Sequence, residues 1–74
     1  MITVYTKDRC PQCVTTKNTL KRHGIAYTEV NVQKPENEKL VVMLREKGFG
    51  SLPVVDTGNE MWAGFQPDRL EALK

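Results

Sequence analysis

The two cysteines of this chain, Cys10 and Cys13, are separated by two residues and stand where a strand-like segment meets a helix-like one. The segment before them, "ITVYT" at 2–6, is β-branched and aromatic, which is typical of a buried strand. From Pro11 to His23 the residues favour a helix, since proline suits the first helical position and Gly24 suits the C-terminal stop. Both thiols are therefore predicted at the start of a helix that directly follows a strand.

The next part of the chain predicts a second strand and a second helix. The segment "IAYTEVNV" at 25–32 alternates two sets of side chains, as a strand does. Pro35 and Glu36 are suited to open a helix, and Gly48 is suited to close it. The apolar stripe of this helix is formed by Leu40, Val41, Met43 and Leu44. The first three elements thus predict a right-handed βαβ unit with parallel strands.

The C-terminal part predicts a hairpin and a last helix. "PVVDTGNEMWA" at 53–63 divides into two short strands around a turn at 56–59, where Gly58 is free to take a positive φ. "PDRLEALK" at 67–74 begins with proline and carries an acid in its first turn, as helices do. The order βαβαββα predicts an α/β fold with a four-stranded mixed sheet and three helices. This is the thioredoxin/glutaredoxin arrangement.

Length and composition narrow the class of protein. A chain of 74 residues predicts a single domain over 1–74, and 39% hydrophobic with 27% charged residues is typical of an ordinary soluble domain. No apolar run reaches the roughly 18 residues that span a membrane, and the N-terminus lacks the pattern of a secretion signal. These features predict a cytoplasmic protein, in a compartment where permanent disulfides are rare. The net charge of +2 is too small to predict nucleic-acid binding.

The cysteine pair could form a structural staple, bind a metal or exchange electrons. A staple between residues so close in sequence closes a very small loop and stabilises little. A structural zinc site needs four ligands, and the chain has one histidine, His23, to add to its two cysteines. His23 lies about two and a half turns down the same predicted helix, too far to share an ion with both thiols. A metal or iron–sulfur module shared by two chains remains the alternative from another class.

The surroundings of the cysteines favour electron exchange. Between positions 7 and 22 the chain has one acidic residue, Asp8, and five basic residues, namely Lys7, Arg9, Lys17, Lys21 and Arg22. This charge is either a solvated helix face or a positive field that favours thiolates and acidic partners. Cysteines at helix N-termini have pKa values lowered from about 8.5 to roughly 3.5–7.5. Position therefore predicts that Cys10 attacks a disulfide, and that Cys13, one turn further on and less exposed, resolves the mixed disulfide.

Three stretches resemble the NrdH-redoxins, a family of glutaredoxin-like proteins with thioredoxin-like activity. They are "VYTKDRCPQCVTTK", "GFGSLPVV" and "WAGFQPDRL", and the likeness covers essentially the whole chain. Where glutaredoxins carry a Gly-Gly pair followed by acids that grip glutathione, this chain has Ala63–Gln66. Ala63 and Gln66 replace the serine and arginine usual in the NrdH pattern. Pro11 is instead typical of dithiol glutaredoxins, so a glutathione-dependent glutaredoxin is the alternative within the same chemistry.

The resemblance implies an electron carrier that needs no bound cofactor. It implies that electrons pass from NADPH through thioredoxin reductase to the large subunit of class Ib ribonucleotide reductase, by way of a Cys-Pro-Gln-Cys dithiol. We also expect a monomer, without nucleic-acid or membrane partners. In this family Cys10 corresponds to the nucleophile and Cys13 to the resolving thiol.

The resemblance also implies roles for residues outside the cysteine pair. Pro53 is expected to be a cis-proline beside the disulfide, leaving the backbone of Leu52 to pair with a substrate strand. The remaining active-site support is assigned to Lys7, Arg9, Pro11 and Gln12. A surface that supports the active-site loop and meets partners is assigned to Trp62, Gly64, Phe65, Pro67 and Asp68. Each of these five also has a structural explanation, such as a core position for Trp62.

Overall fold

The computed structural model describes residues 1–74 and contains four strands and three α-helices. Their bounds in chain order are β1 Ile2–Thr6, α1 Pro11–Arg22, β2 Tyr27–Asn31, α2 Glu38–Glu46, β3 Val54–Asp56, β4 Met61–Ala63 and α3 Pro67–Glu71. The predicted order βαβαββα is confirmed. None of the helices has the length and apolarity that crossing a bilayer requires.

The four strands form one mixed sheet in the order β2-β1-β3-β4. β1 and β2 are parallel, with Ile2 opposite Tyr27 and Thr6 opposite Asn31. β3 is antiparallel to both β1 and β4, and Val55 lies between Val4 and Trp62 across the three strands. β1 is an inner strand, so its C-terminal end lies in the middle of one edge of the sheet. Cys10 and Cys13 follow this end, where α1 begins.

Each face of the sheet carries its own apolar cluster, because successive side chains of a strand point to opposite faces. Helices α1 and α3 cover one face, where the buried cluster contains Val4, Leu20, Val55, Trp62 and Leu70. Helix α2 covers the other face, where Tyr5, Leu44 and Val54 form a smaller cluster. Leu20 and Leu70 are completely buried, and truncating such a side chain to alanine typically costs about 2–5 kcal/mol. Helix α1, which begins at the cysteine pair, is therefore anchored firmly to the sheet.

Several element boundaries differ from the sequence expectation; α1 ends at Arg22 and α3 at Glu71, before the predicted His23 and Lys74. β2 is shorter than the predicted strand at 25–32, because β1 offers pairing partners only from Ile2 onwards. The helix expected from Pro35 begins instead as a 3₁₀ turn, Pro35–Asn37, and becomes an α-helix at Glu38. The Asn37 side chain explains this turn, because its Nδ2 atom donates a hydrogen bond to the carbonyl oxygen of Asn31 over 2.8 Å. This bond ties the first turn to the end of β2.

Candidate active site

Cys10 and Cys13 form a disulfide at the N-terminus of α1, with their Cα atoms 5.2 Å apart. Cys10 is the N-cap residue in an extended conformation, and its Sγ atom accepts a hydrogen bond from the backbone N–H of Cys13 over 3.1 Å. Cys10 is 7% exposed and Cys13 is 1% exposed. Cys10 is thus the sulfur that an external disulfide can reach first, while Cys13 is shielded behind it.

The first turn of α1 provides a favourable setting for negative charge on sulfur. Pro11 occupies the first helical position and no acidic residue lies in the first turn. The unsatisfied N–H groups and the dipole of a helix N-terminus both stabilise an anion placed there. The N-terminus of α1, with no acidic side chain in its first turn, therefore suits the thiolate form of Cys10 once the disulfide is reduced.

The basic residues around the pair do not all contribute a free charge. Lys7 and Arg9 are exposed and make no ion pair. Lys17 is paired with Glu29, with its Nζ atom 3.0 Å from Oε2 of the carboxylate. This hydrogen bond, together with one from Thr6 Oγ1 over 2.8 Å, outweighs burial and lowers the pKa of Glu29 below its ordinary value. Of the basic residues near the cysteines, Lys7 and Arg9 before the helix therefore carry a charge outside any ion pair.

The segment before β3 approaches the disulfide from the other side. The Leu52–Pro53 peptide bond is cis, and the carbonyl oxygen of Leu52 lies 3.9 Å from the Sγ atom of Cys10. Pro53 is buried, and its carbonyl oxygen accepts a hydrogen bond from the N–H of Gly64 over 2.7 Å. Leu52 and Gly64 are therefore both held near the redox pair.

Gln12, the second residue between the cysteines, makes a contact that sequence reasoning missed. Its Oε1 atom accepts a hydrogen bond from the backbone N–H of Phe65 over 3.0 Å, across 53 positions of sequence. Gly64, with a φ of +82°, lies beside this contact, because a Cβ atom built on it would be 3.4 Å from Gln12 Oε1. No periodicity or motif spacing signals an isolated contact between an exposed amide and a distant backbone.

The loop before Cys10 is held by a second network that the sequence did not indicate. Arg9 has a φ of +55°, in the left-handed region that a side-chain-bearing residue rarely adopts. Its neighbour Asp8 accepts a hydrogen bond from Asn31 Nδ2 over 2.9 Å and donates its backbone N–H to Gln33 Oε1 over 2.8 Å. These bonds attach the loop to the end of β2 and fix the approach to the nucleophile.

Trp62 requires a correction to the predicted partner surface. Its ring is 3% exposed and packs in the cluster with Leu20 and Leu70, because β4 directs it to the face covered by α1 and α3. The Arg69 guanidinium lies over the ring, 5.3 Å from its centroid. Trp62 is thus a core residue and offers almost no surface to a partner.

The other residues assigned to that surface remain accessible to different degrees. Phe65 packs against the same cluster but is partly exposed, and Gly64 is likewise intermediate. Pro67 and Asp68 are exposed in the first turn of α3. Gly64 and Phe65 are brought to the redox helix by Gln12, whereas Pro67 and Asp68 have no hydrogen bond to it.

The open surface over the disulfide is a shallow depression of about 510 Å³. Its lining combines the cysteine pair with charged and apolar side chains, namely Lys7, Asp8, Arg9, Pro11, Val14, Lys17, Glu29 and Asn31. Val14 is half exposed beside the cysteines. No group of three or more His, Cys, Asp and Glu side chains lies close enough to hold a metal ion. The chemistry available at this surface is thiol–disulfide exchange.

Comparison with known proteins gives the same chemistry. The glutaredoxin family model matches residues 2–62. The glutaredoxin-like protein NrdH of Escherichia coli K12 is 40% identical over 73 residues, covering 97% of this chain and 86% of the relative. NrdH of Lactococcus lactis subsp. cremoris is 37% identical, and the match covers 99% of both chains.

Solved structures agree with these relatives. The E. coli NrdH-redoxin, described as a glutaredoxin-like protein with a thioredoxin-like activity profile, superposes with a TM-score of 0.92 at 37% identity, over 99% of this chain and 93% of that one. A glutaredoxin from Archaeoglobus fulgidus gives a TM-score of 0.84 at 26% identity, over 97% of this chain and 83% of that one. The chain therefore belongs to the glutaredoxin family, is NrdH-like within it, and is a thiol–disulfide oxidoreductase with Cys10 and Cys13 as its redox pair.

Proposed function

We propose that this protein takes electrons from NADPH through thioredoxin reductase and delivers them, in the cytoplasm, to the oxidised cysteine pair of a class Ib ribonucleotide reductase. The observation that carries the proposal is the disulfide at the N-terminus of α1 in a chain so similar to NrdH along its length. The E. coli relative's thioredoxin-like activity profile supports thioredoxin reductase as the electron donor. The electrons reside on two sulfur atoms, so the reaction requires no bound cofactor.

In the proposed reaction the Cys10 thiolate attacks one sulfur of the substrate disulfide. The S–S bond of the substrate breaks, one substrate thiolate leaves and takes a proton, and a mixed disulfide forms on Cys10. Cys13 then loses its proton and attacks the Cys10 sulfur, which releases the second substrate thiol. Two electrons and two protons reach the substrate, and the Cys10–Cys13 disulfide is left for thioredoxin reductase to reduce. The buried position of Cys13 supports its role as the resolving thiol, because Cys13 is less exposed than Cys10.

The residues around the pair receive roles consistent with their positions. The backbone of Leu52, whose carbonyl lies 3.9 Å from Cys10 Sγ, pairs with the substrate strand, and Pro53 supports that segment. Lys7 and Arg9 supply positive charge at the rim of the depression. Gly64 and Phe65, together with the exposed Pro67 and Asp68, form the proposed edge of the partner surface. The protein acts as a monomer in this scheme.

A glutathione-dependent glutaredoxin is the second candidate, and Pro11 together with the match to the glutaredoxin family supports it. Against it, the Gly-Gly-acid pattern that grips glutathione is replaced by Ala63–Gln66. The two candidates differ in the electron donor, because one uses thioredoxin reductase and the other uses glutathione.

The test measures NADPH consumption with insulin as the reporter disulfide. One reaction contains thioredoxin reductase, and the other contains glutathione with glutathione reductase. Consumption with thioredoxin reductase alone supports the proposal, and the purified class Ib reductase is then tested as the acceptor. Turnover driven mainly by glutathione overturns the proposal and makes the protein a glutaredoxin in function. Cys10→Ser serves as the inactive control in both reactions.

A further inference from the structure

The two residues that flank Arg9 are held by different parts of the fold. On one side, the Asp8 carboxylate accepts a hydrogen bond from Asn31 Nδ2 over 2.9 Å, and the Asp8 backbone N–H donates to Gln33 Oε1 over 2.8 Å. On the other side, Cys10 is the N-cap of α1, in an extended conformation with a φ of −121°. Arg9 is therefore the single residue between a loop bound to the end of β2 and the first turn of the redox helix.

Asn31 is the centre of the network that holds this loop, because both ends of its amide are used. Its Nδ2 atom donates to Asp8, while its Oδ1 atom accepts the backbone N–H of Gln33 over 2.9 Å. The second bond holds Gln33, whose own side chain accepts the Asp8 N–H. The backbone carbonyl of Asn31 also accepts a hydrogen bond from Asn37 Nδ2 over 2.8 Å. One partly buried residue thus connects Asp8 to the turn that precedes α2.

The left-handed conformation of Arg9 requires support of this kind. At a φ of +55° the Cβ atom of an L-residue lies too close to the following carbonyl oxygen, and such a conformation persists only where the surrounding structure imposes it. If Arg9 left this region, the chain would enter Cys10 from another direction, and Cys10 Sγ would move away from the Cys13 N–H, now 3.1 Å from it. That N–H and the helix dipole are the groups that stabilise an anion on the sulfur.

We propose that Asn31 is a positioning residue for thiol–disulfide exchange, which acts through Asp8 to hold Arg9 in its left-handed conformation and thereby keeps the Cys10 sulfur at the N-terminus of α1. The inference deepens the proposed function, because it rests on Cys10 as the attacking thiol. It does not depend on which protein supplies the electrons or which one receives them.

The test measures the rate at which iodoacetamide alkylates Cys10 as a function of pH. All variants are made in a Cys13→Ser background, so that Cys10 is the single thiol of the chain. The midpoint of the pH profile reports how well the protein stabilises the thiolate, because the thiolate is the form that reacts. Neither a reductase nor a disulfide substrate is present, so a failure here is distinguishable from a failure of the electron-donor experiment.

Removing the Asn31 amide should weaken the stabilisation of the thiolate. We expect Asn31→Ala to raise the midpoint by about 0.5–1 pH unit, and so to lower the rate at acidic pH about threefold to tenfold, since a charged group loses part of a hydrogen bond. Asn18→Ala is the control, because Asn18 is an exposed amide on α1 without a side-chain hydrogen bond, and its profile should not move. An unchanged profile in an Asn31→Ala protein that circular dichroism shows to be folded overturns the proposal.

Two substitutions of Asp8 separate the hydrogen bond from the charge. Both remove the same negative charge, but the amide oxygen of Asp8→Asn can still accept from Asn31, whereas Asp8→Ala has no acceptor. The midpoint should be about 0.5–1 pH unit higher in Asp8→Ala than in Asp8→Asn. Equal midpoints contradict the proposal. Because Asp8 is exposed, this pair decides the question even where Asn31→Ala does not fold.

A rescue experiment tests the route through Arg9. Added to Asn31→Ala, Arg9→Gly makes the left-handed conformation accessible without support, whereas Arg9→Ala removes the same charge but keeps the steric cost. We expect the midpoint with Arg9→Gly to lie below that with Arg9→Ala, by most of the shift that Asn31→Ala causes. Lys7→Gly should give no such recovery, because Lys7 has no positive φ. Equal midpoints for glycine and alanine at position 9 would show that Asn31 does not act through Arg9, and the proposal would be wrong.

Discussion

The backbone N–H of Cys13 donates a hydrogen bond to the Sγ atom of Cys10 over 3.1 Å, so the two redox residues are also joined as the N-terminal cap of α1. A side-chain acceptor at this position typically contributes about 1 kcal/mol compared with alanine. Cys10 therefore has a structural role that is separable from its chemistry. Serine can keep the cap while removing the nucleophile, and alanine removes both.

We predict that Cys10→Ser and Cys10→Ala both abolish disulfide reduction, but that Cys10→Ser is the more stable of the two by about 1 kcal/mol. Urea unfolding of the reduced proteins measures the difference, and the insulin assay measures the activity. Reduced wild-type protein is the reference, since the disulfide itself contributes to the stability of the oxidised form. Equal stability of the two variants would show that the sulfur does not cap the helix.

Replacing Cys13 with serine should leave the attack by Cys10 intact and prevent the resolving step. The chain has two cysteines, so Cys13→Ser leaves no thiol within the protein to attack the Cys10 sulfur of the mixed disulfide. We expect Cys13→Ser to accumulate a stoichiometric mixed disulfide with insulin or with thioredoxin reductase. Non-reducing electrophoresis and mass spectrometry detect the adduct, and the Cys10→Ser/Cys13→Ser double variant is the control. Loss of activity without any adduct would contradict the assignment of the two roles.

Arg9 lies in the left-handed region immediately before the nucleophile, with a φ of +55°. This conformation costs a residue with a side chain roughly 1–2 kcal/mol, whereas glycine adopts it freely. Arg9→Gly should therefore be more stable than Arg9→Ala by up to about 1 kcal/mol, although both variants lose the same charge. Urea unfolding gives the comparison.

Lys7 supplies the matched control for Arg9, because it is an exposed residue of the same loop without a positive φ. There the order should reverse, with Lys7→Gly less stable than Lys7→Ala by about 0.4–1 kcal/mol. The same order at both positions would mean that the Asp8–Asn31 network does not hold Arg9 in its left-handed conformation.

Features that depend on local chemistry could be predicted from the sequence. β-branched runs, prolines at helix starts and the glycines after α1 and α2 predicted all the helices and strands, and the cysteines were placed correctly at the start of α1. Contacts between distant segments could not be predicted, because a single hydrogen bond such as Gln12 to Phe65 leaves no periodic pattern. Trp62 was ambiguous for a related reason. The packing of α1 and α3 on this face of the sheet, which places Leu20 and Leu70 in one cluster with the ring, makes it a core residue.

Among Gly50, Gly58 and Gly64, we expect Gly64 to be the one at which alanine destabilises the protein most. Its φ is +82°, so alanine there is strained, and the added Cβ atom would lie 3.4 Å from Gln12 Oε1, in contact with that side chain. We expect Gly64→Ala to lower the free energy of unfolding by about 1–2 kcal/mol, and to speed hydrogen exchange of the Phe65 amide.

Alanine substitutions at two other glycines distinguish the effect of backbone strain from the effect of the contact with Gln12. Gly58 in the hairpin turn has a φ of +91° but no neighbour within 4 Å, so Gly58→Ala shows the strain alone. Gly50 has neither a positive φ nor a close neighbour, and Gly50→Ala should be neutral or stabilising by up to about 1 kcal/mol. If Gly58→Ala speeds exchange at Phe65 as much as Gly64→Ala does, the effect does not arise from the contact with Gln12.

The ion pair between Glu29 and Lys17 should make stability depend on pH in the acidic range. The hydrogen bond from Lys17 lowers the pKa of the folded carboxyl below its ordinary value of 4.5, with a further contribution from Thr6. A lowered pKa in the folded state means that the unfolded state takes up a proton first as the pH falls. The stabilisation is therefore complete well above pH 4.5, and is lost as the pH drops below 4.5 through the folded-state pKa.

Glu29→Gln isolates the charge, because its amide oxygen can still accept the hydrogen bond from Thr6. The carboxylate is more than one-third exposed, so the loss at pH 7 should be less than about 1 kcal/mol. The difference between wild type and variant should shrink as the pH falls below 4.5 and the wild-type carboxyl takes up its proton. Urea unfolding across this range measures it, with Glu36→Gln, which removes a carboxylate outside any ion pair, as the control. A loss that is unchanged between pH 7 and the lowest pH at which the protein stays folded would assign the effect to packing rather than to charge.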